Sequence, residues 1–258
     1  MSGQILEDLA GDTWTLTVSN PRRRNALSFD MYASLEDAFR RAGEEPGLRA
    51  LVLRGADGHF AGGTDINELS IRVTDGRLGV EYEHYMARVQ SALLDLRIPV
   101  IALVEGVCVG GGLVLAALSD IVYCTPDARF GSPIARTLGN TLSVTSLHRM
   151  YALLGRRVAA RMLLTATLID AETARQAGFV TDVVPSENLR TTLESTLDGI
   201  RGCSAESLWS FKELERRIDS AVGDLDVDDV YRRVYGSADF REGVDAFLAK
   251  RPARFGDD

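Results

Sequence analysis

The chain has 258 residues, 45% of them hydrophobic and 26% charged, and a formal net charge of −8. These are globular proportions, enough for one large domain or a domain with an appendage. The acidic balance argues against a general nucleic-acid or anionic-membrane binder, while leaving room for a local basic patch that holds a phosphate-bearing ligand. The three cysteines, Cys108, Cys124 and Cys203, lie far apart and form no CxxC pair, so reduced thiols are expected. Met1 to Asp8 carries no apolar targeting segment, and a cytoplasmic location is the expectation.

In chain order, Gln4 to Leu9 and Trp14 to Ser19 read as two strands around Ala10-Gly11-Asp12. Asn20-Pro21 ends the second. Arg22-Arg23-Arg24 follows, either as a solvated loop or as an anion site. Ser28 is the expected N-cap of a helix from Phe29 to Ala42, whose apolar positions Met31, Leu35, Ala38 and Phe39 keep helical spacing. Leu48 to Gly55 reads as a buried strand. A glycine loop with Gly62 and Gly63 follows, and Thr64 or Asp65 is placed to cap the next helix. Ser70 to Gly79 reads as a flexible polar loop. Val80 to Leu96 reads as a helix, with Glu81, Glu83 and His84 expected on its surface.

The stretch from Val100 to Asp120 organises the rest. A β-branched run, Val100 to Val104, leads through Glu105-Gly106 to three glycines, Gly110 to Gly112, and then to a helical segment, Leu113 to Leu118. Pro99, Glu105 and the glycines argue against a membrane span. Leu115 stands where a dinucleotide fingerprint needs its third glycine, and the Gly-Lys-Ser/Thr of a P-loop is absent. A glycine-packed helix with no chemistry stays open on these residues alone. The first amides of a helix have no intrahelical partner, and glycine lets a ligand approach them closely.

Ile121 to Thr125 reads as a strand and Pro126-Asp127-Ala128 as a turn. Arg129 to Thr141 reads as a loop rich in breakers and donors. Leu142 to Leu154 and Val158 to Leu164 read as helices. Asp170 caps another that ends at Gly178, and Phe179 to Val184 is a short strand. From Ser186 the pattern is helical almost to the end, with a boundary near residue 200.

Two glycine loops, each after a strand and each opening a helix, can aim two backbone amides at one point, the geometry of an oxyanion hole. In this light the sequence resembles the crotonase (enoyl-CoA hydratase/isomerase) superfamily over nearly its whole length. The segments that carry the resemblance are Asn20-Pro21 with Asn25-Ala26-Leu27, Phe60 to Ile66, Glu105-Gly106 through Gly110-Gly111-Gly112, Ser119-Asp120-Ile121, and Phe130-Gly131-Ser132-Pro133. The tail adds Arg241-Glu242-Gly243, Phe247, Lys250-Arg251 and Phe255.

The resemblance implies an α/β fold: a spiral of ββα turns over residues 1–200, and a C-terminal helical oligomerisation region over 201–258 that builds a homotrimer or a hexamer. It implies an acyl-CoA substrate, with oxyanion donors at the N–H of Thr64 and Gly111. Coenzyme A would lie near Arg24 and Ala26, with Asp65 and Ile66 bordering the adenine pocket and Gly62, Val109, Pro133 and Ile134 among the other residues that bind the substrate. Phe247 and Lys250 would also reach coenzyme A, often the one bound to a neighbouring subunit. No metal, no nucleic acid, no membrane and no cofactor beyond the coenzyme A of the substrate is expected.

The departures bear on the reaction. Val114 and Ile134 stand where hydratases of this family carry their two glutamates, and hydration needs one group to take a proton and another to give it. Replacement groups are sought among Ser132, Arg136, Thr137, Asn140, Thr141 and Ser143 of one loop, and among Glu68, Glu81, Glu83, His84, Glu105 and Cys108. The first reading is a hydratase/isomerase-type activity with a non-standard acid/base. The alternatives are thioester hydrolysis, decarboxylation or C–C cleavage at the same site, or a non-catalytic acyl-CoA-binding protein.

Overall fold

Strands buried on both faces read as unbroken apolar runs, and that is how the central strands of this chain are written. A computed structural model describes residues 3–223 and 225–256; Met1, Ser2, Asp224, Asp257 and Asp258, which the sequence reading included in its two regions, lie outside the described residues. Strands β1 (Gln4–Ala10) and β2 (Thr13–Ser19) form an antiparallel hairpin. Helix α1 (Phe29–Glu44) returns the chain to β3 (Ala50–Gly55), which pairs parallel with β2. Ser28 caps α1 as expected, its hydroxyl accepting from the Met31 amide.

Helices α2 (Ile66–Arg72) and α3 (Gly76–Leu94) lead to β4 (Val100–Val104), and β5 (Val107–Val109) leads directly into α4 (Gly111–Ala117). Then come β6 (Ile121–Cys124), β7 (Arg129–Gly131), the single turn α5 (Ile134–Thr137) and α6 (Val144–Leu164), which breaks at Gly155. After β8 (Ile169–Asp170), α7 (Ala171–Ala177) and β9 (Asp182–Val183), the chain is helical: α8 (Leu189–Arg201), α9 (Ala205–Gly223), α10 (Asp228–Tyr235) and α11 (Ala238–Leu248).

The six-stranded sheet has the order β1-β2-β3-β4-β6-β9, and a three-stranded sheet has the order β5-β7-β8. Alternation along β3 and β4 divides the core. Leu51, Leu53, Val100, Ala102 and Val104 join the cluster under α1 and α4, while Ala50, Val52, Ile101 and Leu103 pack with Leu189, Leu197 and Ile200 of α8. Among the described residues, no helix is long and apolar enough to cross a membrane.

Two segments differ from the sequence reading. The loop expected over residues 70–79 shrinks to three residues, because α2 runs to Arg72 and Asp75 caps α3 by accepting from the Leu78 amide. Leu69, Val73 and Val80 there are buried against Tyr231 and Tyr235 of α10, so tertiary packing overrides a polar composition. The loop expected over residues 129–141 contains β7 and α5. β7 is three residues long and exists through partners distant in sequence, β5 and β8.

Candidate active site

The two glycine loops meet because the first lies beside β5 and the second leaves its end. The Ala61 amide donates to the Val107 carbonyl (3.1 Å), and the Val109 amide donates to the Ala61 carbonyl (3.0 Å). On the other side, the Leu27 amide donates to the Gly63 carbonyl (2.7 Å) and the Asp65 amide donates to the Leu27 carbonyl (2.8 Å). Because extended backbone alternates, those two bonds turn the Thr64 amide away from Leu27. Gly111 is the first residue of α4 and has no intrahelical acceptor for its amide. Neither amide donates to another group among the described residues.

Gly63 has φ +89°, a conformation that favours glycine. A methyl group on it would sit 3.3 Å from the Val109 carbonyl oxygen and 3.7 Å from the Gly111 nitrogen. The loops are therefore in van der Waals contact, with Thr64 and Gly111 on one shared wall.

That wall belongs to a cavity of ≈ 1070 Å³, just above the range of about 300–1,000 Å³ common for ligand sites. Every site residue expected from the sequence lines it: Thr64 and Gly111, with Arg24, Ala26, Gly62, Asp65, Ile66, Val109, Pro133, Ile134, Phe247 and Lys250. The basic triplet stands at this cavity with Lys250, which α11 carries round to the same site. Arg23 pairs with Asp65, which also caps α2 by accepting from the Asn67 amide. Arg22, Arg24 and Lys250 have no ion-pair partner among the described residues, and all three are exposed. Three unpaired cations at one opening suit a ligand carrying several phosphates.

The rest of the cavity is walled by side chains. Tyr82, Glu83, Met86, Val89 and Gln90 of α3 face it, opposite Val114, Leu115, Ile134 and Tyr235. Thr64 Oγ1 lies 2.9 Å from the Tyr32 hydroxyl and 3.1 Å from that of Tyr82. Burial pushes both phenols above their ordinary range, so they stay neutral.

Glu83 was expected at the surface, and the structure corrects this: it is buried, 5% exposed, and lines the cavity. Its Oε1 accepts a short hydrogen bond from the Tyr235 hydroxyl. Burial raises its pKa from 4.5 to about 7, against the opposing pull of that hydrogen bond. A signal was present in the sequence: Glu83 is in phase with Met86, Gln90 and Leu93, the buried face of α3.

The other titratable candidates are engaged elsewhere. Glu68 accepts from the Phe29 amide (2.8 Å), Glu81 pairs with Arg77, and His84 Nε2 lies 2.9 Å from Asp228. Glu105 lies 3.6 Å from Arg54, and burial holds the Cys108 thiol protonated. In the loop before α6, Ser132 Oγ and Asn140 Oδ1 are buried with no partner among the described residues, and both residues line the cavity. Arg136 instead donates to the Thr165 carbonyl. Ser143 and Ser146 bond each other (2.8 Å) and Gln90.

The family model described as Enoyl-CoA hydratase/isomerase matches residues 12–258. The 1,2-epoxyphenylacetyl-CoA isomerase of Escherichia coli K12 is 30% identical over 259 residues, covering 97% of each chain. The 2,3-dehydroadipyl-CoA hydratase of the same organism is 30% identical over 246 residues, covering 93% of each. A solved enoyl-CoA hydratase/carnithine racemase from Magnetospirillum magneticum superposes with a TM-score of 0.79 at 28% identity, covering 98% of this chain and 96% of that one.

Proposed function

The chain belongs to the enoyl-CoA hydratase/isomerase family, and from that premise we propose that it binds an acyl-CoA thioester and stabilises the enolate formed from it. The carrying observation is the pair of unsatisfied amides, Thr64 and Gly111, on one wall of one cavity. Two preorganised donors on the thioester oxygen stabilise negative charge that develops there, and they need no side chain to do so. The phosphates of coenzyme A would rest against Arg22, Arg24 and Lys250. The acyl chain would run between α3 and α4, past Val114 and Ile134.

Proton transfer at carbon fits this site better than water addition. Hydration uses two groups that hold one water, one to take a proton and one to give it, and the aliphatic side chains of Val114 and Ile134 can do neither. The proposed activity is therefore of the isomerase type, in the cytoplasm, with no cofactor beyond the coenzyme A of the substrate. A homotrimer is proposed too: α9 presents Phe211, Leu214 and Ile218, 67%, 60% and 69% exposed, along one face. Light scattering at micromolar concentration tests it, and a monomer there removes it.

Comparing hexanoyl-CoA with its thioether S-hexyl-CoA, which lacks the carbonyl, tests the oxyanion reading by calorimetry. The thioester is expected to bind roughly tenfold more tightly or better, a difference of about 1.4 kcal/mol. Equal affinities remove the oxyanion hole. Failure of both to bind removes the acyl-CoA reading altogether.

A further inference from the structure

A site that forms an enolate needs a group to take the proton, and two carboxyls of the chain line the cavity: Asp65 and Glu83. Asp65 is spent on structure. It pairs with Arg23 and accepts from both the Asn67 amide and the Asn67 side chain. Glu83 is different. One of its oxygens accepts from Tyr235, and Oε2 accepts nothing among the described residues.

α3 holds this carboxyl in place. Gly79, one turn earlier, lies under the Tyr235 ring with no room for even a methyl group. That close contact brings the Tyr235 hydroxyl onto Glu83. Tyr82, the chain neighbour of Glu83, bonds Thr64, so the cavity face of α3 is tied to the loop that carries one of the two free amides.

We infer that Glu83 is the general base and general acid of this site, standing in for the two carboxylates that Val114 and Ile134 replace. The inference rests on the acyl-CoA reading above and adds the residue that moves the proton. For a 3-enoyl thioester, the Glu83 carboxylate takes a proton from the carbon next to the carbonyl. The C–H electron pair becomes the C1=C2 bond of a dienolate, and the carbonyl pair moves onto the oxygen held by Thr64 and Gly111. The protonated Glu83 then returns the proton to C4, which bonds it with the C3=C4 pair; the C1=C2 pair moves to C2=C3, the oxygen pair closes the carbonyl again, and a 2-enoyl thioester leaves. Atoms and electrons balance with no other reactant. One carboxyl suffices because the same proton is taken and given back.

The environment suits the task. The titratable groups that face Glu83 are the phenols Tyr32 and Tyr82 on the thioester side and Tyr231 and Tyr235 on α10, all neutral. No Lys, Arg or His among the described residues acts on its ionisation, so burial sets it, near neutrality, where one group can both accept and donate.

The test follows deuterium uptake at C2 of hexanoyl-CoA in heavy water, and conversion of 3-hexenoyl-CoA to the conjugated 2-enoyl ester by its absorbance. The full-length protein is expected to do both, at a rate that rises through about pH 7. Glu83→Gln keeps an acceptor for Tyr235. It is expected to bind hexanoyl-CoA within about threefold of wild type yet lose at least 100-fold in both rates. Tyr235→Phe keeps the carboxyl but removes its donor, and is expected to retain exchange with the pH profile displaced upward. A merely structural role for Glu83 would not move that profile. Wild-type exchange in Glu83→Gln, or binding without exchange in wild type, overturns the inference and leaves the acyl-CoA reading standing. Absence of binding by the wild type overturns the reading beneath it.

Discussion

The two ends of the cavity are made of different material. At the thioester end the working groups are backbone amides, placed by hydrogen bonds between Leu27, Gly63, Ala61 and Val109. At the acyl end they are side chains on α3 and α10, placed by helix packing. Backbone geometry survives replacement of neighbouring side chains as long as the turns and glycines remain. Side-chain chemistry changes with a single codon. At the acyl end two aliphatic residues, Val114 and Ile134, and a buried carboxyl, Glu83, face the same space.

The largest effect expected from breaking this contrast is at Gly63. Gly63→Ala puts a side chain at φ +89°, 3.3 Å from the Val109 carbonyl, and must shift the Thr64 amide relative to Gly111. Losing one oxyanion donor costs about 10²–10³ in turnover, so steady-state kinetics are expected to show a fall of at least 100-fold with the fold retained. A fall of less than fivefold would sink the claim that the amide pair carries the chemistry.

Next in size is the pH dependence of stability at the acyl end. Unfolded, the Glu83 carboxyl ionises near 4.5; folded, it keeps its proton to about 7. Its contribution is therefore full below pH 4.5 and is lost as pH rises through 7, a change of about 3 kcal/mol. Urea titrations at pH 5 and pH 8 are expected to show Glu83→Gln removing that part of the slope. An unchanged slope would mean that Glu83 is not buried as a carboxyl.

Gly79→Ala comes third. The added methyl overlaps the Tyr235 ring, and overpacking of this kind costs typically about 1–3 kcal/mol. Thermal unfolding is expected to show the loss, together with a lower exchange rate because Tyr235 and Glu83 separate. The smallest effect belongs to the opening. Arg24→Ala is expected to weaken coenzyme A ester binding by roughly tenfold at low ionic strength and by less at 0.5 M salt, since exposed charges are screened. Salt-independent binding in wild type would count against phosphates at the arginine cluster.

Much of this was legible in the sequence. Caps announced α1 and α7: Ser28 accepts from Met31 and Asp170 from Thr173, with Gly178 left-handed after the last turn. The glycine loops announced two free amides, because glycine where a strand runs into a helix leaves the first helical N–H groups open to a ligand. Charge alone points Glu83 outward, whereas its spacing to Met86 and Gln90 sets it on the inner face. Residues 70–79 and 129–141 look like loops in the sequence because their order comes from partners far along the chain.

The sequence by itself determined most of the strands and helices (though not β5, β7, β8 or α5), the two turns whose glycines free Thr64 and Gly111, and the aliphatic residues at 114 and 134. These are local matters of backbone freedom, capping and residue identity. Only the tertiary structure decided that α10 lies across Gly79, that Tyr235 reaches Glu83, and that a carboxyl on a polar-looking helix faces the cavity with its proton held to about pH 7. Burial and the company of distant residues set a group's ionisation, and neither is written at the group's own position in the chain.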